Sequence, residues 1–135
     1  MGLLRNKTRV IIDTNFLLLP GSKGIDIFTQ IQANVLESLS LCVVEQSLIE
    51  LDKLAQGITP AKGKDKFNAK LGFILAKQKG LKTLHSSHPH ADDAIVNFVR
   101  KGTYVATLDK KLQRRVLAQG GNIITVQQKK LVVRR

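Results

Sequence analysis

The sequence predicts an α/β domain: a mainly parallel sheet with helices packed on both faces. Two features of the pattern carry this expectation. Short apolar runs rich in β-branched residues alternate with segments of helical periodicity along the whole chain. No internal repeat or low-complexity linker interrupts them, and 135 residues is the size of one compact domain. A hydrophobic share of 43% can build a core, which a disordered chain could not. Residues 1–135 are therefore read as a single domain with a basic C-terminal extension over 127–135.

Each element follows from local pattern. Val10-Ile11-Ile12 is a β-branched run ending in Asp13 and reads as a buried strand. Pro20-Gly21-Ser22-Lys23-Gly24 reads as a loop, followed by a helix over 25–38. Leu41 to Val44 is the second strand. Residues 46–56 fit a helix stopped by Gly57, and 64–79 a helix stopped by Gly80. Phe67, Leu71, Ile74 and Leu75 supply the apolar spacing of that longer helix. Leu81 to Leu84 is the third strand, and 85–90 is a histidine-rich loop. A helix over 91–100, a strand over 104–107, a helix over 109–118 and a strand over 122–126 complete the alternation. Leu131-Val132-Val133 is a candidate edge strand.

Charge narrows the partner. Twenty-two Lys+Arg against ten Asp+Glu give a formal net charge of +12, which attracts polyanions. The bases cluster. Lys62, Lys64, Lys66, Lys70, Lys77, Lys79 and Lys82 fill one segment, and Arg100, Lys101, Lys110, Lys111, Arg114 and Arg115 flank another. Lys129, Lys130, Arg134 and Arg135 close the chain. None of these runs forms a long amphipathic helix carrying Trp or Phe, so a membrane surface is disfavoured and nucleic acid favoured. Aromatic residues make up only 4%, so phosphate contact rather than base stacking should dominate. No apolar stretch is long enough to span a bilayer, and the start lacks a signal-peptide core. The single Cys42 permits no internal disulfide, which fits a reducing, cytoplasmic setting.

The acids are scarce and oddly placed. Asp13 and Asp109 each directly follow a strand, where sites form in parallel sheets. Asp92 lies three, four and seven residues before Ile95, Val96 and Val99, which puts it on their apolar helix face. A carboxylate there is costly unless paired or bound to metal. Asp93 is rotated towards solvent, where the helix N-terminus favours it. Glu50 and Asp52 border the apolar arc of their helix on opposite sides, and geometry does not choose between them. Taken singly, Asp109 can be a plain N-cap, Asp13 a turn residue and Glu50 a solvated rim charge. Carboxylates gathered in one cleft would raise each other's pKa unless a cation neutralised them, and oxygen ligands suit Mg²⁺ or Mn²⁺. His85, His88 and His90 match no zinc spacing, and Pro89 interrupts them. No phosphate-binding glycine loop is present.

These residues resemble the PIN-domain nuclease family. Val-Ile-Ile-Asp-Thr-Asn-Phe-Leu-Leu (10–18) is similar to its first motif, and 44–51, Val-Glu-Gln-Ser-Leu-Ile-Glu-Leu, to its second. That similarity selects Glu50 over Asp52. Ala91-Asp92-Asp93-Ala94-Ile95-Val96 and the stretch Val105 to Arg115 resemble the third and fourth. The doubled Asp and the Asp-x-x-Leu-x-Arg-Arg tail resemble the PIN nucleases of small ribosomal subunit maturation and their small archaeal relatives. The resemblance implies a three-layer α/β/α PIN-like fold with a five-stranded sheet ordered 3-2-1-4-5. It implies a metal-dependent endoribonuclease in which Asp13, Glu50, Asp92 and Asp109 ligate one or two Mg²⁺ or Mn²⁺ ions, assisted by Asp93. Thr14 and Asn15 would support the cluster, and a metal-activated water would attack an RNA phosphodiester in line. Lys110, Lys111, Arg114 and Arg115 are the expected RNA contacts. The resemblance further implies a homodimer, and RNA processing on a ribosomal particle. A toxin ribonuclease with an antitoxin partner, and a non-catalytic RNA-binding scaffold, stay open as alternatives.

Overall fold

The structure is a computed structural model that describes residues 7–59 and 63–135, so Lys62 of the basic run and the first six residues lie outside the described residues. β1 (Thr8–Ile12) sits near the centre of a six-stranded sheet ordered β3-β2-β1-β4-β5-β6. It pairs in parallel with β2 (Leu39–Val44) and β4 (Tyr104–Ala106). β3 (Lys82–Leu84) joins β2 and β5 (Asn122–Gln127) joins β4, both in parallel.

The expected order holds, with a sixth strand added at one edge. β6 (Lys130–Arg134) runs antiparallel to β5. Residues 127–135 are thus the end of β5, a hairpin turn and a strand, not an extension. Gln128 and Lys129 turn the hairpin with φ of 50° and 64°, the paired left-handed geometry that matches strand twist. The Gln30 side chain accepts from the Leu131 N–H at 3.1 Å and anchors the strand to the layer beneath.

Period-2 alternation divides the core. Val10 and Ile12 point to one face and Ile11 to the other. The first face is covered by α1 (Thr14–Leu17), α2 (Leu19–Lys23), α3 (Ile27–Asn34), α4 (Glu45–Gln56) and α5 (Gly63–Gln78). The second is covered by α6 (Ala91–Phe98) and α7 (Lys110–Ala118), through Ile95, Leu112 and Val116. This is the three-layer α/β/α arrangement.

Several local expectations are corrected. The segment expected as a Pro–Gly loop folds as α2, because Pro20 falls in the first turn, where its missing N–H costs nothing. Gly24 then ends that helix at φ 66°. The helix expected over 25–38 is confined to α3, capped by Asp26, whose carboxylate accepts from Thr29 N and Thr29 Oγ1 at 3.2 and 2.7 Å. On α5 the expected apolar face is also displaced. Phe67 and Ile74 are 64% and 50% exposed, whereas Asn68, Ala69, Gly72 and Ala76 are buried. Small residues face inward because the helix backbone lies close to α1.

Gly72 sets that approach: a Cβ there would run into the Leu17 carbonyl oxygen. Helix propensity alone predicts that Gly72→Ala stabilises the protein by about 1 kcal/mol. The packing predicts a loss of roughly 1–3 kcal/mol, read from denaturant unfolding midpoints. A variant as stable as the parent would show that the α1–α5 contact yields freely.

Candidate active site

The carboxyl ends of the parallel strands open into a cleft of about 670 Å³. Asp13, Glu50, Asp92, Asp93 and Asp109 all line it, together with Thr14 and Asn15. Half of the ten acids in a strongly basic chain therefore meet in one place.

Asp13 is held most firmly. Its N–H donates to Ala106 O at 2.9 Å, continuing the β1–β4 pairing past the strand end. One carboxylate oxygen accepts from Thr14 N at 2.8 Å, and the other from Thr107 Oγ1 at 2.6 Å. The same Thr107 hydroxyl accepts from Asp109 N at 3.1 Å. Asp109 in turn caps α7, accepting from Lys111 N and Leu112 N at 2.9 and 3.2 Å through a single oxygen. Its capping role and its place in the cleft coexist, because the cap occupies only that oxygen. Asn15 Oδ1 accepts from Leu108 N at 3.1 Å and ties α1 to the approach of Asp109.

Glu50 enters from α4. Asp52, the other candidate, is not among the residues lining the cleft, and its carboxylate accepts from Gln56 Nε2 at 2.9 Å. Of the two, Glu50 is the one that lines the cleft. The Thr14 hydroxyl is buried and makes no hydrogen bond of normal geometry, yet it lies close enough to Glu50 to favour that group's charged form.

Asp92 does not sit on a buried face as expected, and Asp93 is not the more solvated of the two. Their side chains are 50% and 42% exposed. They occupy the first turn of α6, where the helix face looks into the cleft and not onto the sheet. Val99, which helped define the expected face, lies beyond the helix as its C-cap. Arg115 is also corrected: it is no free rim cation. Its guanidinium reaches Asp93 at 2.9 Å and Asp92 at 3.6 Å across the α6–α7 interface.

Two positioning features escaped the sequence reading. Thr107 looked like an ordinary strand residue, although its spacing two before Asp109 hinted at a shared hydrogen bond. Lys53 lines the cleft, one helical turn after Glu50 on the same face. The histidines separate: His90 lines the cleft, His85 pairs with Glu45, and His88 contributes its carbonyl to Gln46 Nε2 at 2.6 Å. Lys110, Lys111 and Arg114 are exposed at the start of α7.

Electrostatics disfavours the charged form of two of these acids, Asp13 and Glu50. Burial pushes the Asp13 pKa up, opposed by Thr107 and Thr14 and reinforced by Asp109 and Asp92. Burial likewise raises Glu50, with Asp13 and Asp92 adding to the effect. Among the described residues, no three His, Cys, Asp or Glu side chains form a ready-made metal cage. The donor chemistry still fits a hard divalent cation: oxygen only, mutually repelling, with the unpartnered Thr14 hydroxyl beside it.

The sign of a stability effect follows. With its folded pKa above the usual 3.8, Asp13 keeps its proton to higher pH folded than unfolded. Ionisation therefore penalises the fold, with no penalty below the unfolded pKa and a growing one as pH rises through the folded value. In chelator at pH 7, Asp13→Asn should melt a few degrees above the parent, and the gap should close on acidification. A variant that melts lower at every pH would mean the Thr107 hydrogen bond outweighs burial.

Comparison with known proteins agrees with this geometry. The profile of a family described as "PIN like domain" matches residues 10–129. Ribonuclease VapC4 of Methanocaldococcus jannaschii is 28% identical over 124 residues, covering 90% of this chain and 92% of that protein. A solved structure of the PIN domain endonuclease Utp24 superposes with a TM-score of 0.74 at 29% identity, covering 93% of this chain and 90% of that one.

Proposed function

The chain belongs to the PIN-like domain family, and from that membership we propose that it is a divalent-metal-dependent endoribonuclease that acts in RNA processing. The observation that carries this reading is the gathering of five acids at the carboxyl edge of the sheet in a chain of net charge +12. The relatives named as a ribonuclease and an endonuclease, alike over nine-tenths of the chain, support it. The likeness of the doubled Asp and Arg-Arg tail to nucleases of small-subunit maturation favours processing over a toxin role.

Asp13, Glu50, Asp92 and Asp109 would hold one or two Mg²⁺ or Mn²⁺ ions, with Asp93 beside them. Such an ion, when bound, lowers the pKa of water and polarises a phosphoryl oxygen. The protein's own part is positioning. Asp13 is fixed through both of its oxygens, so the strand ends cannot drift apart. Asp109 keeps one oxygen outside its capping bonds. Lys53 supplies an ammonium inside the cleft for a backbone phosphate. Lys110, Lys111 and Arg114 place positive charge beside Asp109 to retain the strand. No serine or cysteine nucleophile is needed, and Cys42 is wholly buried in the core.

Single-stranded and structured RNA incubated with Mn²⁺ should be cut, and chelator should stop the cutting. Glu50→Gln, Asp92→Asn and Asp109→Asn should each slow cleavage on the order of 10²–10³-fold, the scale of losing one charge-stabilising group. RNA affinity measured in chelator should hold or tighten, since each substitution removes a negative charge. Undiminished cleavage in these variants would refute the site, and no cleavage of any RNA by the parent would favour a scaffold.

A further inference from the structure

A second cavity, of about 560 Å³, opens between α6 and α7 on the far side of Asp93. Asp93 lines both cavities, so one side chain separates it from the acidic cleft. Its lining is rich in hydrogen-bond donors: His88, Asn97, Arg100, Arg115 and Gln119. Its size falls in the range of clefts that take small molecules or a nucleotide, roughly 300–1,000 Å³.

The two arginines differ in how their charge is spent. Arg115 is balanced by Asp93 and Asp92. Arg100 has no carboxylate within ion-pair distance among the described residues. One of its terminal nitrogens donates to Asn97 O and Val99 O, both at 3.1 Å, at the carbonyl end of α6. Those bonds hold the guanidinium at the cavity without neutralising it, and they use only part of its donor fork. A fixed, uncompensated guanidinium beside an amide-bearing wall is an arrangement for a phosphate. The wall at His88 is fixed too, by the Gln46 side chain that donates to its carbonyl at 2.6 Å.

The geometry points to a phosphate subsite here: the cavity grips, through Arg100 with Asn97, Gln119 and His88, a backbone phosphodiester of the RNA strand whose neighbouring segment lies in the acidic cleft. The assignment rests on the RNA substrate proposed above. It makes α6 the divider between a cleft that cuts and a cleft that holds, with Asp93 as the shared wall and Arg115 bracing it from the second cavity.

The test is binding of a labelled single-stranded RNA in chelator, by anisotropy across a salt series, so cleavage plays no part. Arg100→Gln removes the guanidinium. Asn97→Asp keeps the α6 carbonyl contacts and places a negative charge in the cavity, which covers the case in which Arg100→Gln folds poorly. Each should weaken affinity roughly 3–10-fold and lower the magnitude of the log–log salt slope by about 0.7, the loss of one single-strand phosphate contact. Lys82→Gln, on the edge strand β3 and outside the lining of the cavity, should produce a smaller change. Equal losses for Lys82→Gln and Arg100→Gln would reduce the effect to net charge and overturn the subsite. Parent-like affinity in both cavity variants would overturn it as well. Inorganic phosphate and a mononucleotide form the second arm. Arg100-dependent binding of either, with RNA affinity untouched by Arg100→Gln, would assign the cavity to a free anion and reject the RNA strand. Arg100-dependent RNA binding without any cleavage would leave the subsite standing while the nuclease reading fell. Cleavage with parent-like RNA affinity in both cavity variants would do the reverse.

Discussion

The Thr107 hydroxyl is the small contact on which the candidate site depends. It donates to Asp13 at the end of β1 and accepts from the Asp109 N–H at the start of α7. One buried oxygen thereby fixes the relative position of two acids 96 residues apart in the chain. Both of its hydrogen-bonding roles are used, and Thr107 is fully buried, so little else could fill the place. The parallel β1–β4 pairing brings the two strand ends side by side. Thr107 converts that proximity into a defined arrangement of carboxylates.

Around this contact the molecule separates its charges. Acids converge where the sheet ends, and two of them lose hydration there, which raises the pKa of Asp13 and Glu50. Lysines and arginines occupy the helix surfaces outside. Stability alone would not favour such a layout, since clustered carboxylates repel and their burial is unfavourable. Perturbed ionisable groups gathered in a cleft are a mark of functional sites.

The α6–α7 pair adds a second level of organisation. Arg115 ties the α7 helix to the doubled Asp of α6, so the position of Asp92 is linked to the packing of the neighbouring helix. The conjunction of Asp-Asp on one helix and Arg-Arg on the next therefore has a structural meaning. One arginine of the pair, Arg115, holds the acids, while Arg114 stays exposed. The sequence pattern alone treated the two as equivalent RNA contacts, because spacing along a helix does not reveal which neighbour has a carboxylate facing it.

The sequence by itself determined the alternation of strands and helices, the strand ends that carry Asp13 and Asp109, and the excess of positive charge. These are legible because they arise from nearest-neighbour chemistry: β-branched runs, helix stops at Gly57 and Gly80, and the count of ionisable groups. The hairpin turn and antiparallel pairing that join the candidate edge strand at 131–133 to the sheet, the inward small-residue face of α5, and the placement of Glu50 rather than Asp52 in the cleft, which helical periodicity left open and the family resemblance alone had favoured, rest on the three-dimensional packing. In each case the deciding neighbour lies far along the chain: Gln30 under β6, Leu17 against Gly72, and Asp13 beside Glu50. The same holds for Asp92, whose helical periodicity was read correctly but whose face meets an open cleft instead of the core. A wheel gives the angle of a side chain about its helix axis, and only the packed fold says what stands opposite.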